Sequence, residues 1–240
     1  FEEYLAIPVL VGKKTEKEKF AGAEYTLSLE ALMYDGVSLQ SATSHYFGQK
    51  FSKPFDVKFV DRENKLQYVY QTSWGCSTRM IGGLIMVHGD DNGLVLPPKI
   101  APKQVVIATI RNNENVLKVA NEFESKLKAL DLRVIVDTSD KSAGFKFAEY
   151  EMKGVPIRIE IGPRDIENGQ VVIARRDTGA KETIKIEEVE GVITKLLDDI
   201  QANLYNRALE HTKERTYTCT TLDEVKEIMQ TKPGFVKAMW

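Results

Sequence analysis

The chain has 240 residues, of which 42% are hydrophobic, enough for one large or two ordinary globular domains. A net charge of −2 excludes attraction of nucleic acid by the molecule as a whole, so any such contact must come from local basic patches. Cys76 and Cys219 are too few and too far apart for a disulfide framework or a metal knuckle, and apolar runs such as 81–87 are too short to cross a bilayer.

Phe1 to Val11 reads as a helix end running into a strand that Gly12 stops, with no basic leader of the secretory kind. Lys13 to Lys19 is a charge run, the usual mark of a solvated surface. Ala23 to Ala31 alternates polar and apolar in strand fashion, and Tyr34-Asp35-Gly36 turns the chain into a second strand, Val37 to Thr43, with a small polar face. Gln40, Thr43 and His45 are spaced like residues on one strand that bends at its end. Phe55–Val60 and Leu66–Gln71 are strands joined by a turn at 61–65, and they are expected to continue the same antiparallel series.

Next comes Gln71-Thr72-Ser73-Trp74-Gly75-Cys76-Ser77-Thr78-Arg79, followed by an apolar, glycine-containing helix from Met80 to His88. Serine, threonine and glycine leave room for a flat ligand close to the backbone. Arg79 is the only lysine or arginine between Lys65 and Lys99. Its planar fork suits a phosphate, and it suits equally a carboxylate partner or a helix cap. Trp74 is expected in the core or beside a pocket. Cys76 has no basic neighbour and reads as packing. His45, His88 and His211 are not at zinc-ligand spacing.

Leu96 to Pro102, with three prolines, is a stiff extended exit and the expected domain boundary. Beyond it, strands are expected at 104–110, 132–136, 155–161 and 170–175. Helices are expected with Val116, Ala120, Phe123, Leu127 and Leu130 on one face, over 145–152, and in a long segment carrying Val189 to Leu204. The order β-α-β-α-β-β-α predicts an α/β domain with a mixed sheet. Lys146, Arg158, Arg164, Arg175 and Arg176 are the local positive charges available for phosphates. Thr221 and Glu224 have the spacing of a capping box, with Val225, Ile228 and Met229 directed inward.

Several stretches together carry a family resemblance. Ser-Trp-Gly-x-Ser-Thr-Arg-x-Ile-Gly at 73–82 and His88 to Pro102 resemble motif 3 and the domain exit of prolyl-tRNA synthetases of the eukaryote- and archaea-like type, which are class II aminoacyl-tRNA synthetases. Lys14 to Gly22, Thr43 to Gln49, Lys153 to Arg158 and Gly162 to Asp165 extend the likeness almost end to end.

The resemblance implies a parse into 1–102, the motif-3 part of a catalytic domain built on antiparallel sheet; 103–205, an α/β anticodon-binding domain; and 206–240, the start of a C-terminal domain. It implies ATP contacts from Gln40, Thr43, Ser77 and Arg79, with Arg79 on the terminal phosphate, and proline contacts from His45, Trp74 and Gly75. The implied partners are L-proline, ATP with Mg²⁺ and tRNA(Pro), in a cytoplasmic protein that is a homodimer at full length. Glu160, Arg164 and Asp165 are candidates for reading anticodon bases through paired hydrogen bonds, or Arg164 and Asp165 merely pair with each other. The zinc cysteines of the family are not in these residues, so no metal site is expected. Motifs 1 and 2 are also expected to lie before Phe1, which makes residues 1–240 incomplete for catalysis. The alternatives are a non-catalytic tRNA-binding or regulatory relative and another class II synthetase. A threonyl enzyme would need zinc-binding residues in its pocket, and no such set is found.

Overall fold

Alternation in the first third of the sequence builds antiparallel sheet, and alternation of strands with helices in the remainder builds a mixed one. A computed structural model describes residues 1–239. Its first stretch runs α1 (Glu2–Leu5), β1 (Leu10–Lys13), β2 (Tyr25–Leu32), β3 (Ser38–Gly48), β4 (Lys58–Val60), β5 (Leu66–Tyr68), β6 (Gln71–Gly75) and α2 (Arg79–His88). The second runs β7 (Val105–Thr109), α3 (Glu114–Ala129), β8 (Val134–Asp137), α4 (Ala143–Met152), β9 (Ile157–Ile161), α5 (Pro163–Glu167), β10 (Gln170–Arg175), β11 (Lys181–Lys185), α6 (Val189–Glu214), β12 (Thr216–Cys219), α7 (Leu222–Thr231) and β13 (Phe235–Ala238).

The chain divides into two units that do not follow its order: Phe1–Ile7 with Leu84–His211, and Pro8–Gly83 with the segment from Thr212 onward. In the second of these, an antiparallel sheet has the order β1-β2-β3-β6. β4 and β5 stand apart as a two-stranded ribbon, so the expected continuous hairpin series is corrected: Val69 and Tyr70 interrupt the strand read over Leu66–Gln71, and β6 pairs with β3 instead. In the same unit β12 and β13 pair in parallel, with α7 as the crossover. The Thr221 hydroxyl accepts the Glu224 N–H, and the Glu224 carboxylate accepts the Thr221 N–H in return. Val225 and Ile228 are half-buried, but Met229 lies exposed rather than inward. Gly36, at φ +83°, turns β2 into β3 directly against Pro233; a Cβ there would sit 2.7 Å from the proline ring.

In the other unit the sheet has the order β11-β10-β9-β7-β8, with β8, β7 and β9 parallel and β10 and β11 antiparallel. All five residues of β7 are buried, as a central strand covered on both faces requires. Its core joins Val105 and Ile107 to Val116, Ala120, Phe123 and Leu127 of α3 and to Ile193, Leu197, Ile200 and Leu204 of α6, and it takes in Ala6 and Val95. Asn113 caps α3 through the Val116 N–H at 2.8 Å. The proline-rich exit is not extended throughout, because Ile100 and Ala101 both donate to the Pro97 carbonyl in a turn. At the end of α2, His88 Nε2–H donates to the Leu5 carbonyl at 2.8 Å, and burial pushes its pKa down to about 4.

Candidate functional site

One face of the β1-β2-β3-β6 sheet gathers the polar residues singled out in the sequence. Register sets this face. Thr26 pairs with His45, Ser28 with Thr43, and Glu30 with Gln40, because a bulge between Leu29 and Glu30 absorbs Ser41. Gln40 and Thr43 are three residues apart and would lie on opposite faces of a regular strand; the extra residue returns both to one face. On the other side of β3, Ser73 pairs with His45 and Gly75 with Thr43. Space above Gly75 is open, since a Cβ there would meet nothing within 4 Å. Just past the end of β1, Lys14 donates its backbone N–H to the Thr26 carbonyl and its ammonium to Gln40 Oε1.

His45 is the most constrained member of the set. Thr26 Oγ1 lies 2.8 Å from Nδ1 and Thr43 Oγ1 lies 3.1 Å from Nε2, so hydroxyls hold both ring nitrogens. Phe20, at 4.9 Å between ring centres, and Phe47, at 6.0 Å, flank the imidazole. Phe20 is itself fixed by its N–H donating to Thr26 Oγ1. Glu30 accepts from Ser28 at 2.5 Å and from Ser38 at 3.1 Å. Hydroxyls, an amide and an imidazole beside aromatic rings suit a small ligand that is part polar and part apolar. No group of three or more histidine, cysteine, aspartate or glutamate side chains among the described residues is placed to hold a metal.

Beyond β6 the chain turns into α2. Ser77 Oγ accepts the Arg79 N–H at 3.3 Å and so sits at the start of that helix, while the Cys76 thiol lies 3.6 Å from the Ser41 carbonyl. Arg79 opens the helix exposed, and its guanidinium has no hydrogen-bond or carboxylate partner among the described residues. Trp74 departs from expectation. It pairs with Ser44, one residue out of phase with the His45 and Thr43 pairs, so it belongs to the opposite face and is 79% exposed. It is neither in the core nor beside His45.

The mixed sheet corrects the basic patch expected there. Lys146 is 1% exposed and donates to the carbonyls of Thr109 and Asp137, both at 3.0 Å, so it is not available to phosphate. Arg158 lies on the Phe147 ring and binds Glu160 at 2.9 Å; Arg175 binds Asp177 at 2.8 Å; Arg176 binds Asp90 at 2.5 and 2.7 Å. Glu160 is buried and also holds Lys181 at 2.8 Å, while Asp165 accepts the Gly162 N–H at 2.8 Å to start α5. Arg164 and Asp165 therefore do not pair, and of the expected trio only Arg164 keeps a free charged group among the described residues. Arg111, which the sequence reading passed over, has the same freedom. It follows β7 as Arg164 follows β9, and the Ile110 N–H donates to the Ile161 carbonyl at 2.8 Å, so both arginines border one edge of the parallel strands.

Sequence reasoning also missed Thr26, Ser28 and Glu30, while Lys14 and Phe20 fell in a stretch, 14–22, that only the family resemblance singled out. The signal was present in the alternation of Ala23 to Ala31, whose polar set is the half of the strand that faces His45 and Gln40. No helix among the described residues is long and apolar enough to cross a membrane.

Comparison with known proteins is consistent along the chain. Residues 104–196 match the family model of an anticodon binding domain. The whole chain is 56% identical to a proline–tRNA ligase of Oceanobacillus iheyensis, 57% identical to one of Clostridium novyi and 57% identical to a proline–tRNA ligase 2 of Bacillus cereus. In each case the 240 residues span about half the length of the relative, 50% as measured.

Proposed function

Homologous along its whole length to one half of the proline–tRNA ligases, this chain is the premise from which we propose that it contributes the ATP- and proline-binding sheet face, and an anticodon-binding domain, to such a ligase. The observation that carries the reading is His45, clamped between two threonine hydroxyls and bordered by Phe20 and Phe47, on the same face as Gln40. In the proposed reaction the carboxylate of proline attacks the α-phosphorus of ATP, pyrophosphate leaves, and the prolyl group then passes to the terminal ribose of tRNA(Pro). Gln40, Thr43 and Ser77 orient the nucleotide by neutral hydrogen bonds, and Arg79 offsets charge on its phosphates. His45 and the open space above Gly75 receive proline; Trp74 has no part in this arrangement. Mg²⁺ enters with ATP as a substrate complex, in a cytoplasmic setting. Arg111 and Arg164 meet the anticodon loop, while Glu160 and Asp165 hold the strands and turn that carry them.

The test is proline-dependent ATP–pyrophosphate exchange in a full-length ligase made by replacing the matching half of the Oceanobacillus iheyensis relative with this chain. Exchange is expected. His45→Ala should raise the KM for proline about tenfold while leaving the KM for ATP within about threefold, as loss of a hydrogen-bonded contact predicts. Absence of exchange in the unmutated hybrid would overturn the reading. Charging of tRNA(Pro) should fall about tenfold with Arg164→Ala or Arg111→Ala, with exchange unchanged, as loss of a charge-assisted contact predicts.

A further inference from the structure

Lys14 stands apart from the charge run that contains it. Its neighbour Lys13 lies over the Tyr25 ring at 5.8 Å, and Lys19 pairs with Glu16 at 2.6 Å. Lys14 continues β1 beside Thr26, donating its N–H to the Thr26 carbonyl at 2.8 Å, and strand alternation sends its side chain to the face opposite that of Lys13. There its ammonium bonds to the Oε1 of Gln40, a neutral amide, and no carboxylate lies within ion-pair distance among the described residues. An amide oxygen gives the ammonium no charged counterpart, on a face otherwise furnished with hydroxyls, the His45 imidazole and one carboxylate. Glu30 is already engaged by two serine hydroxyls.

We propose that Lys14 is a substrate-binding residue of this site whose ammonium leaves Gln40 for the phosphate chain of a bound nucleoside triphosphate, freeing the Gln40 carboxamide to bind the same nucleotide. The inference rests on the proposed function of the sheet face. It assigns Lys14 a contact with the polyphosphate alone. A point charge on a flexible stem gains most from a ligand with several anionic oxygens and nothing from a ligand that lacks them. The exchange of partners also accounts for a lysine on the substrate face that has no acidic partner among the described residues.

Equilibrium binding of two ligands to the full-length hybrid tests this: ATP, and a prolyl-sulfamoyl-adenosine that has no phosphate chain. Lys14→Met should weaken ATP about tenfold or more, in the range of a lost charge-assisted hydrogen bond, and leave the sulfamoyl compound within about threefold. Lys14→Arg should restore ATP binding to within about threefold of the unmutated protein. If Lys14→Met weakens both ligands equally, Lys14 only props Gln40 and the proposal is overturned; an unchanged ATP affinity overturns it as well. If the unmutated hybrid binds neither ligand, the proposed function of the face fails first and takes this inference with it.

Discussion

Protonating His88 in the folded chain means placing a charge where burial disfavours it, so its folded pKa is about 4 against about 6.5 for an unfolded histidine. The neutral ring is therefore the folded form. Its contribution to stability is complete above about pH 6.5 and is lost as pH falls from there toward 4, because the unfolded chain alone takes up the proton. The ceiling is about 3 kcal/mol, at ~1.4 kcal/mol per pH unit. Urea denaturation at pH 7 and at pH 4.5 should show a smaller acid loss for His88→Gln than for the unmutated chain; equal losses would contradict the assignment. Lys146 makes a second residue-level case. Asp137 is buried beside it at 3.6 Å, and the carboxyl is held below its usual pKa, against burial, by hydrogen bonds from Ser139 and the charge of Lys146. Lys146→Met leaves that carboxylate unpaired and should cost about 3–5 kcal/mol by the same assay, with Asp137→Asn in addition recovering part of the loss. Residue type alone could not distinguish Lys146 from Arg164, since burial is decided by which helix face meets the sheet. Thr43 and His45 share a face by simple alternation, whereas Gln40 joins them only through the bulge and was singled out by the family resemblance rather than by any period. The face of Trp74 was not legible, because a single step of register separates the two faces.

At the scale of elements, the β2–β3 hairpin depends on two irregular points. The bulge that absorbs Ser41 aligns Gln40 with Thr43, and no sequence period announces it. Gly36 can be read as a turn residue, but its contact with Pro233, about two hundred positions away, cannot. Gly36→Ala meets both a positive φ and the proline ring, so it should destabilise by about 1–3 kcal/mol in thermal or urea unfolding. Thr221→Ala removes only a cap and should cost about 1 kcal/mol. Elements with strong patterns were legible: β7, α3 and α6 carry continuous or periodic apolar residues. β11 went unread because Ile184 is its only buried member and the other four residues are exposed, as an edge strand allows. α5 went unread because five residues opening on Gly-Pro look like a turn until Asp165 closes back on Gly162.

For the whole molecule, the mixed fold class could be read from the order of patterns, but the grouping of segments could not, because contacts between distant parts of a chain leave no local period. The family match at 104–196 stops short of the core it belongs to, since Leu197, Ile200 and Leu204 of α6 and Ala6 and Val95 are buried in the same cluster. Residues 104–196 alone should therefore unfold without a cooperative transition in urea. Residues 84–211 should retain one, because burial of each large side chain is worth about 1.5–3 kcal/mol. The interleaved order also sets a timetable on the ribosome. Residues 8–83 emerge early yet are completed by a segment that begins at Thr212, whereas Leu84–His211 is nearly self-sufficient. At ~5–20 residues per second, the hairpin that turns at Gly36 waits on the order of ten to forty seconds for Pro233. Leu84–His211 would then stand folded while the segment translated just before it was still incomplete, and the nascent face carrying His45 would be the part in need of a chaperone.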